Sequence, residues 1–176
     1  FLAALAGTNR VVVTATRSGY EQNFTRFGQF LAETIAAPDA DLDRDGQTSL
    51  LEAFLMASAR VKEFYATENR LATEHALLDD NGDGRGTPPD WFRGTRAVKQ
   101  AADDAPPDGA RAHQIHLVPS AAERALAPAT RARRDELERD IEALRRRKAE
   151  LPEEDYFREL EARLRELALL YRQAGS

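Results

Sequence analysis

Residues 41–52 read DLDRDGQTSLLE, and acidic side chains occupy the first, third, fifth and twelfth places of this stretch. A glycine, Gly46, occupies the sixth place. Apolar residues recur at helical spacing on both sides, so the stretch joins two predicted helices. Carboxylates this close together repel one another, by about 3 kcal/mol for two charges about 5 Å apart at an effective dielectric constant of about 20. The spacing therefore predicts a bound cation, which removes that repulsion.

The same spacing is that of the twelve-residue calcium loop of EF-hand proteins. Such a loop supplies oxygen ligands from places 1, 3, 5, 7, 9 and 12, and its glycine at place 6 allows a sharp turn. The predicted ligands are Asp41, Asp43, Asp45, Gln47 through its backbone carbonyl, Ser49 and Glu52. The predicted cofactor is Ca²⁺, because carboxylate and carbonyl oxygens are its preferred ligands.

Two features distinguish this loop from one half of a paired calcium sensor. Thr48 stands at the eighth place, where EF-hand loops usually carry a branched apolar residue that pairs with a second loop. Pro38 shortens any helix that enters the loop. We therefore expect a single loop within a larger fold. The alternative is a solvated acidic turn, in which Ser49 caps the following helix and Glu52 completes a capping box.

A second glycine-rich stretch, DDNGDGRGTPPD at residues 79–90, has a similar but less complete pattern. Gly84 occupies its sixth place. Pro88 and Pro89 prevent the usual helix start within the loop, so the pattern does not decide whether Asp90 at the twelfth place is a ligand. The possible ligands of a second Ca²⁺ are Asp79, Asn81, Asp83, Arg85 through its backbone carbonyl, and Asp90. The alternative is a surface turn whose acids are solvated.

Apolar patterns outside the loops predict an α/β fold. Residues 10–16, RVVVTAT, are typical of a strand that is buried on both faces of a mostly parallel sheet. Helical spacing predicts helices over 24–35 and 50–64, on either side of the first loop. Residues 73–78 indicate a short strand, and the alternation of 110–118 indicates an edge strand.

A change of composition after Pro119 predicts a domain boundary, with residues 1–118 forming one domain and 119–176 a helical hairpin. Alanine, arginine, glutamate and leucine dominate the tail. Its apolar residues follow a heptad stripe at Leu137, Ile141, Leu144 and Leu151 and, after Pro152, at Phe157, Leu160, Leu164, Leu167 and Tyr171. Such a stripe folds on itself, packs on the domain or pairs with another protein chain.

Charge and composition exclude several classes of protein. The 176 residues have a formal net charge of -5 and contain no cysteine, so disulfides and a cysteine nucleophile are excluded. Residues 120–176 contain 13 basic and 13 acidic side chains, so the arginine-rich tail offers no basic face for nucleic acid. No run of 18 apolar residues predicts a membrane span. We expect a soluble chain whose compartment is unknown.

The order of these segments resembles the C-terminal half of legumain-like, caspase-fold peptidases. The resemblance covers about residues 1–118 and rests on the acidic loop and three stretches: NRVVVTATRSGYEQNFTRFGQFLAETI (9–35), SLLEAFLMASARVKEFY (49–65) and TEHALLDDNGDG (73–84). It implies the C-terminal part of a caspase-like domain, with a mostly parallel sheet flanked by helices. It also implies that the catalytic Cys and His-Gly segments lie upstream of Phe1, so no catalytic residue is assigned here.

Two functions agree with these patterns. The first is a calcium-binding fragment of a caspase-like or legumain-like peptidase or pseudo-peptidase, whose partner is the missing N-terminal half of the domain. The alternative is a non-catalytic, calcium-stabilised binding or scaffolding module, whose C-terminal helices contact a protein partner. We expect this chain alone to catalyse nothing, because it has no cysteine and because no histidine lies near its hydroxyl groups in sequence, such as those of Ser18 and Ser49. His113 and His116 are predicted to point to opposite faces of a strand, so they cannot share a metal.

Overall fold

The computed structural model describes residues 1–21, 24–99 and 105–174. The chain divides into two compact units, Phe1–Pro119 and Ser120–Ser176, one residue away from the boundary that the composition predicts. Helices and short strands both contribute to the first unit, so the α/β class is confirmed. No helix within these ranges is long and apolar enough to cross a bilayer.

Two helices flank the first acidic loop, as their periodicity predicts. α1 covers Leu2–Leu5, α2 covers Phe27–Thr34 and α3 covers Leu50–Thr67. α3 begins at the residue after Ser49 because Ser49 and Glu52 form a capping box, in which each side chain accepts a hydrogen bond from the backbone N–H of the other residue.

Six short strands form three two-stranded antiparallel ladders in the described residues. The strands are β1 Val12–Thr14, β2 Thr48–Ser49, β3 Leu77–Asp79, β4 Phe92–Arg93, β5 Arg96–Ala97 and β6 His116–Val118. β1 pairs with β3, β2 with β6, and β4 with β5. The mostly parallel sheet expected from the sequence is therefore not found in this part of the chain. The path from β1 to β3 contains two helices and a loop, whereas parallel neighbours are typically joined by one crossover helix.

The segment predicted as an edge strand, 110–118, is a helical turn followed by a strand. α4 covers Ala110–Gln114, and β6 follows it. α4 forms because the carboxylate of Asp80 accepts hydrogen bonds from three backbone N–H groups at its start, at 2.8 to 3.0 Å. This cap comes from a residue far upstream in the chain, so the local alternation does not reveal it.

The core of the first unit lies between α2, α3 and the β1–β3 ladder. Leu51, Phe54 and Leu78 are 0% exposed, and the rings of Phe27 and Phe54 meet edge to face with their centroids 6.0 Å apart. The side chains of β1 are half-buried, and not buried on both faces as expected. α3 starts at the end of the first loop and β3 ends at the start of the second, so one core positions both loops.

The second unit is a helical hairpin preceded by a short helix. Its elements are, in chain order, α5 Ala121–Ala125, α6 Pro128–Arg146, a 3₁₀ turn at Arg147–Glu150, and α7 Glu153–Ala174. Arg133 near the start of α6 forms an ion pair with Glu166 in the second half of α7, with nitrogen and oxygen 2.6 Å apart. The two long helices are therefore antiparallel.

The predicted apolar stripe of the hairpin is divided between its interior and its surface. On α6, three members of the stripe are buried: Leu137, Ile141 and Leu144. On α7, three members of the stripe are 45 to 49% exposed: Phe157, Leu164 and Tyr171. The heptad positions of α7 therefore leave apolar side chains partly exposed, and the hairpin does not bury all of them.

Candidate metal centre

Three aspartates of the first loop converge on one another. Asp41, Asp43 and Asp45 each offer one carboxylate oxygen, and these oxygens all lie within 4.8 Å of one another. Asp41 is half-buried, and the other two are exposed. Among the residues that the structure describes, no other group of three or more His, Cys, Asp or Glu side chains meets this distance.

Hydrogen bonds to Asp41 fold the first loop. Its carboxylate accepts from the backbone N–H of Asp45 at 3.0 Å and from that of Gly46 at 2.9 Å. The carboxylate of Asp45 accepts from the backbone N–H of Gln47, also at 2.9 Å. Gly46 has a φ of +80°, a conformation that residues with a Cβ rarely adopt, so the glycine is what allows the turn. The backbone N–H of the sixth place thus donates to the side chain of the first, and the loop closes around Asp41.

Glu52 closes the other end of the first loop. One carboxylate oxygen accepts from the backbone N–H of Leu42 at 2.8 Å, and the other accepts from both the backbone N–H and the hydroxyl of Ser49, each at 2.8 Å. Glu52 is 1% exposed. The capping box of the alternative interpretation is therefore present, and the same contacts hold the twelfth-place carboxylate between the two ends of the loop.

The end of the first loop is also held by residues far along the chain. Thr48, at the eighth place, pairs with Val118 of β6, so a strand of the same unit stands where a paired EF-hand has its second loop. Nε2 of His113 lies 2.9 Å from a carboxylate oxygen of Asp43. Sequence reasoning assigned His113 to a strand and missed this contact, because the helical turn that carries it depends on the distant cap at Asp80.

The second loop shares two hydrogen bonds with the first, from the N–H of the sixth place to the first and from the N–H of the seventh place to the fifth. The carboxylate of Asp79 accepts from the backbone N–H groups of Gly82 and Gly84, both at 2.8 Å, and Gly84 is the sixth place. Asp83, at the fifth place, accepts from the backbone N–H of the seventh at 2.7 Å. Asn81 accepts from the N–H of Asp83 at 2.8 Å. The second loop therefore forms a similar turn, with a φ of +76° at Gly84 beside +80° at Gly46.

Asp90, at the twelfth place, is engaged elsewhere. It lies in a 3₁₀ turn, Pro89–Trp91, which the adjacent prolines start. Its side chain is 70% exposed, and its carboxylate forms an ion pair with Lys99 at 2.8 Å. The structure brings Asp79, Asn81 and Asp83 together in one turn and directs Asp90 towards a surface lysine instead.

A different carboxylate, that of Asp108, lies against the second loop. One oxygen accepts from the backbone N–H groups of Asp80 and Asn81, at 2.8 and 3.1 Å, and the other accepts from the hydroxyl of Thr87 at 2.7 Å. Asp108 is 3% exposed. Burial and the nearby negative charge of Asp80 raise the pKa of Asp108 to about 6. Sequence reasoning missed this residue because it lies 18 positions after Asp90.

Three buried carboxylates in and beside the second loop have no cationic partner among the residues that the structure describes. Asp79, Asp80 and Asp108 are 1%, 6% and 3% exposed. Within residues 1–21, 24–99 and 105–174, none of them forms an ion pair with a lysine, arginine or histidine. Backbone N–H groups are their main partners. Buried charges in proteins are normally paired or bound to a metal ion, so this region has an excess of negative charge.

The candidate ligands are hard oxygen donors in both loops. Carboxylate, carbonyl and hydroxyl oxygens suit Ca²⁺, Mg²⁺ and Mn²⁺, whereas zinc and copper sites usually include imidazole or thiolate ligands. Ca²⁺ accepts six to eight oxygens in varied geometries, whereas Mg²⁺ demands a near-ideal octahedron and loses its water reluctantly. The arrangement can therefore bind a divalent cation and stabilise the elements that the loops connect. Comparisons with family models, curated proteins and solved structures find no match to this chain.

Proposed function

We propose that this chain is a calcium-stabilised binding module in which residues 41–52 hold Ca²⁺. The observation that carries the proposal is the convergence of Asp41, Asp43 and Asp45 within 4.8 Å of one another. The remaining ligands come from the carbonyl of the seventh place, the hydroxyl of the ninth and the carboxylate of Glu52. A divalent cation at this point neutralises charges that otherwise repel one another.

Through Glu52, calcium binding stabilises the folded state of the whole first unit. It is the one buried carboxylate of the first loop, and it lies in the first turn of α3, beside the fully buried Leu51. An ion that binds only the folded loop stabilises the folded state by mass action. Calcium therefore strengthens the connection between the loop and the core that both loops share.

The binding part of the proposal rests on the helical hairpin. Phe157, Leu164 and Tyr171 leave large apolar side chains partly exposed on α7, and apolar surface of this kind is typical of contacts between proteins. A relationship to caspase-fold peptidases rests on the sequence of residues 1–118 alone, and the described strands form no parallel sheet that would support it. The binding module is therefore the function that the geometry supports best.

Calorimetry and thermal unfolding in the presence of Ca²⁺ test this proposal. We expect a dissociation constant of about 10⁻⁵ to 10⁻³ M, as for single loops of modest rigidity. Ca²⁺ at 100 times its dissociation constant then adds about 2.7 kcal/mol to the free energy of unfolding. Asp41→Ala removes most of the gain that belongs to the first loop, because Asp41 is both a ligand and the residue around which the loop folds.

Asp39→Asn is the matched control. Asp39 lies two residues before the loop, is exposed, and pairs with Arg60 at 3.3 Å, outside the group of three aspartates. It should leave the calcium response unchanged. The proposal is wrong if the wild-type chain shows neither heat of binding nor a shift in melting temperature with millimolar Ca²⁺.

A further inference from the structure

Helix α7 carries two neighbouring rows of side chains, and each row follows the alternating four- and three-residue spacing of a heptad repeat. The members of the first row are buried or half-buried: Tyr156, Leu160, Arg163, Leu167 and Leu170. The second, outer row is displaced by one residue, and its members are exposed: Phe157, Glu161, Leu164, Ala168 and Tyr171. One row is enough for a helix with one neighbour, so the outer row indicates a second helical neighbour.

A shallow groove with a largely apolar lining follows the outer row. Six side chains border it: Phe157, Leu160, Glu161, Leu164, Arg165 and Ala168. Phe157, Leu164 and Tyr171 are 45 to 49% exposed and lie one heptad apart. At about 1.5 Å of rise per residue, they extend over about 21 Å of the helix. The outer row is therefore a continuous apolar strip that remains partly open to solvent.

Charged side chains alternate in sign along one edge of the outer row. Glu154, Arg158, Glu161 and Arg165 follow one another at intervals of four, three and four residues, and Arg172 lies one heptad after Arg165. Residues at these intervals lie on the same side of a helix. The side chains of Glu161 and Arg165 are 62% and 76% exposed, so a second chain can reach them.

The apolar strip is complementary to itself when two copies of α7 lie antiparallel about a two-fold axis at Leu164. Phe157 of one copy is then level with Tyr171 of the second copy, so the two aromatic rings meet at each end of the pair. Ala168 is level with Leu160, so a small side chain meets a large one. The two Leu164 side chains meet at the centre.

The charged edge is complementary to itself in the same arrangement. Glu161 of one copy and Arg165 of the second copy lie within about 3 Å of each other along the helix axis, at about 1.5 Å per residue. Glu154 and Arg172 have the same offset. An antiparallel pair brings the same edge of both helices together, whereas a parallel pair brings opposite edges together and separates these charges.

We propose that α7 pairs with α7 of a second copy of this chain, antiparallel and through the outer row. The proposal rests on the binding role proposed for the hairpin and names its partner. The occupant is a second copy because the same surface supplies both halves of the contact, as in an isologous two-fold interface. One helix face is a small interface, so we expect half of the chains to be paired at about 0.1 to 1 mM.

Sedimentation equilibrium of the full chain, from about 10 µM to about 1 mM, measures this association. The weight-average mass should rise from that of one chain towards that of two. Leu164→Glu should raise the dissociation constant at least about tenfold, because it places a charge at the apolar centre of the pair. Leu169→Glu is the matched control and should leave the association unchanged, since Leu169 is 46% exposed on the same helix but lies outside the outer row.

Two charge-reversed variants test the antiparallel direction. Glu161→Arg alone and Arg165→Glu alone should each weaken the association by about threefold or more, because like charges then meet across the pair. An equimolar mixture of the two variants should recover the wild-type association, since positions 161 and 165 again carry opposite charges across the pair. Glu150→Arg mixed with Arg147→Glu is the control, because that exposed pair lies in the 3₁₀ turn and outside α7.

Three results would overturn the proposal. The first is a wild-type chain that stays monomeric up to about 1 mM, the second is equal weakening by Leu164→Glu and Leu169→Glu, and the third is a mixture no stronger than its separate variants. Repeating the series with Ca²⁺ and with a chelator separates this proposal from the calcium function. The pairing should be the same in both, because the calcium loop and α7 belong to separate compact units. A monomeric chain with a normal calcium response refutes the pairing alone, and a paired chain without a calcium response refutes the calcium site alone.

Discussion

The glycine turn of the first acidic loop is open to solvent, whereas that of the second is packed against other parts of its unit. A Cβ placed on Gly46 meets no heavy atom within 4 Å. A Cβ placed on Gly82 lies 2.9 Å from the backbone of Gly7, and one on Gly84 lies 3.2 Å from Ala3. Two loops with similar turns thus differ in how closely the rest of the unit packs against their glycines.

The same contrast extends to how the loops end. The first loop takes its twelfth-place carboxylate from the helix that directly follows it. At the second loop, the backbone N–H groups of the second and third places instead donate to Asp108, which lies in a segment that returns after an excursion of the chain. A distant carboxylate can therefore make the backbone contacts that the first turn of the following helix makes in the first loop.

The largest effect should come from adding a side chain to a glycine of the second loop. Gly82→Ala should lower the free energy of unfolding by about 2 to 4 kcal/mol, since it combines a left-handed conformation with overpacking against the backbone of Gly7. Gly46→Ala should lower the free energy of unfolding by about 1 kcal/mol, because it brings the conformational strain without the overpacking. Denaturant unfolding in the presence of a chelator measures both. Equal costs for the two substitutions would show that the loops do not differ in packing.

An intermediate effect should come from removing the ninth-place hydroxyls. Ser49→Ala and Thr87→Val should each lower the free energy of unfolding by about 1 to 2 kcal/mol, because each leaves a buried carboxylate and a backbone N–H without a partner. Ser58→Ala is the control, since the Ser58 hydroxyl only bonds the carbonyl one turn earlier in α3. A marked loss at Ser49 with none at Thr87 would break the correspondence between the two loops.

The smallest effect should come from the histidine that contacts the first loop. His113→Gln should change the free energy of unfolding by less than about 0.5 kcal/mol, because the pair between His113 and Asp43 is partly exposed to solvent. Thermal unfolding of this variant beside the wild type measures the difference. A loss above about 1 kcal/mol would show that α4 holds the first loop more firmly than a surface contact can.

Local patterns predicted the helices of this protein well. The helical spacing over 24–35 and 50–64 agrees with α2 and α3, because a helix buries one face at an interval that its own sequence records. The capping box at Ser49 and the buried stripe of α6 are equally local. The geometry of Asp41, Asp43 and Asp45 follows from loop spacing and a glycine, so these three could also be placed together in advance.

The sequence by itself thus determined the helices, the turns at the loop glycines and the leading aspartates of each loop. Only the tertiary structure decided the antiparallel direction of β1 and β3, the helical turn at α4, and the engagement of Asp90 and Asp108. The physical reason is the distance along the chain between partners. Asp80 caps a helix that starts about 30 residues later, and no local periodicity records which distant backbone a buried carboxylate will meet.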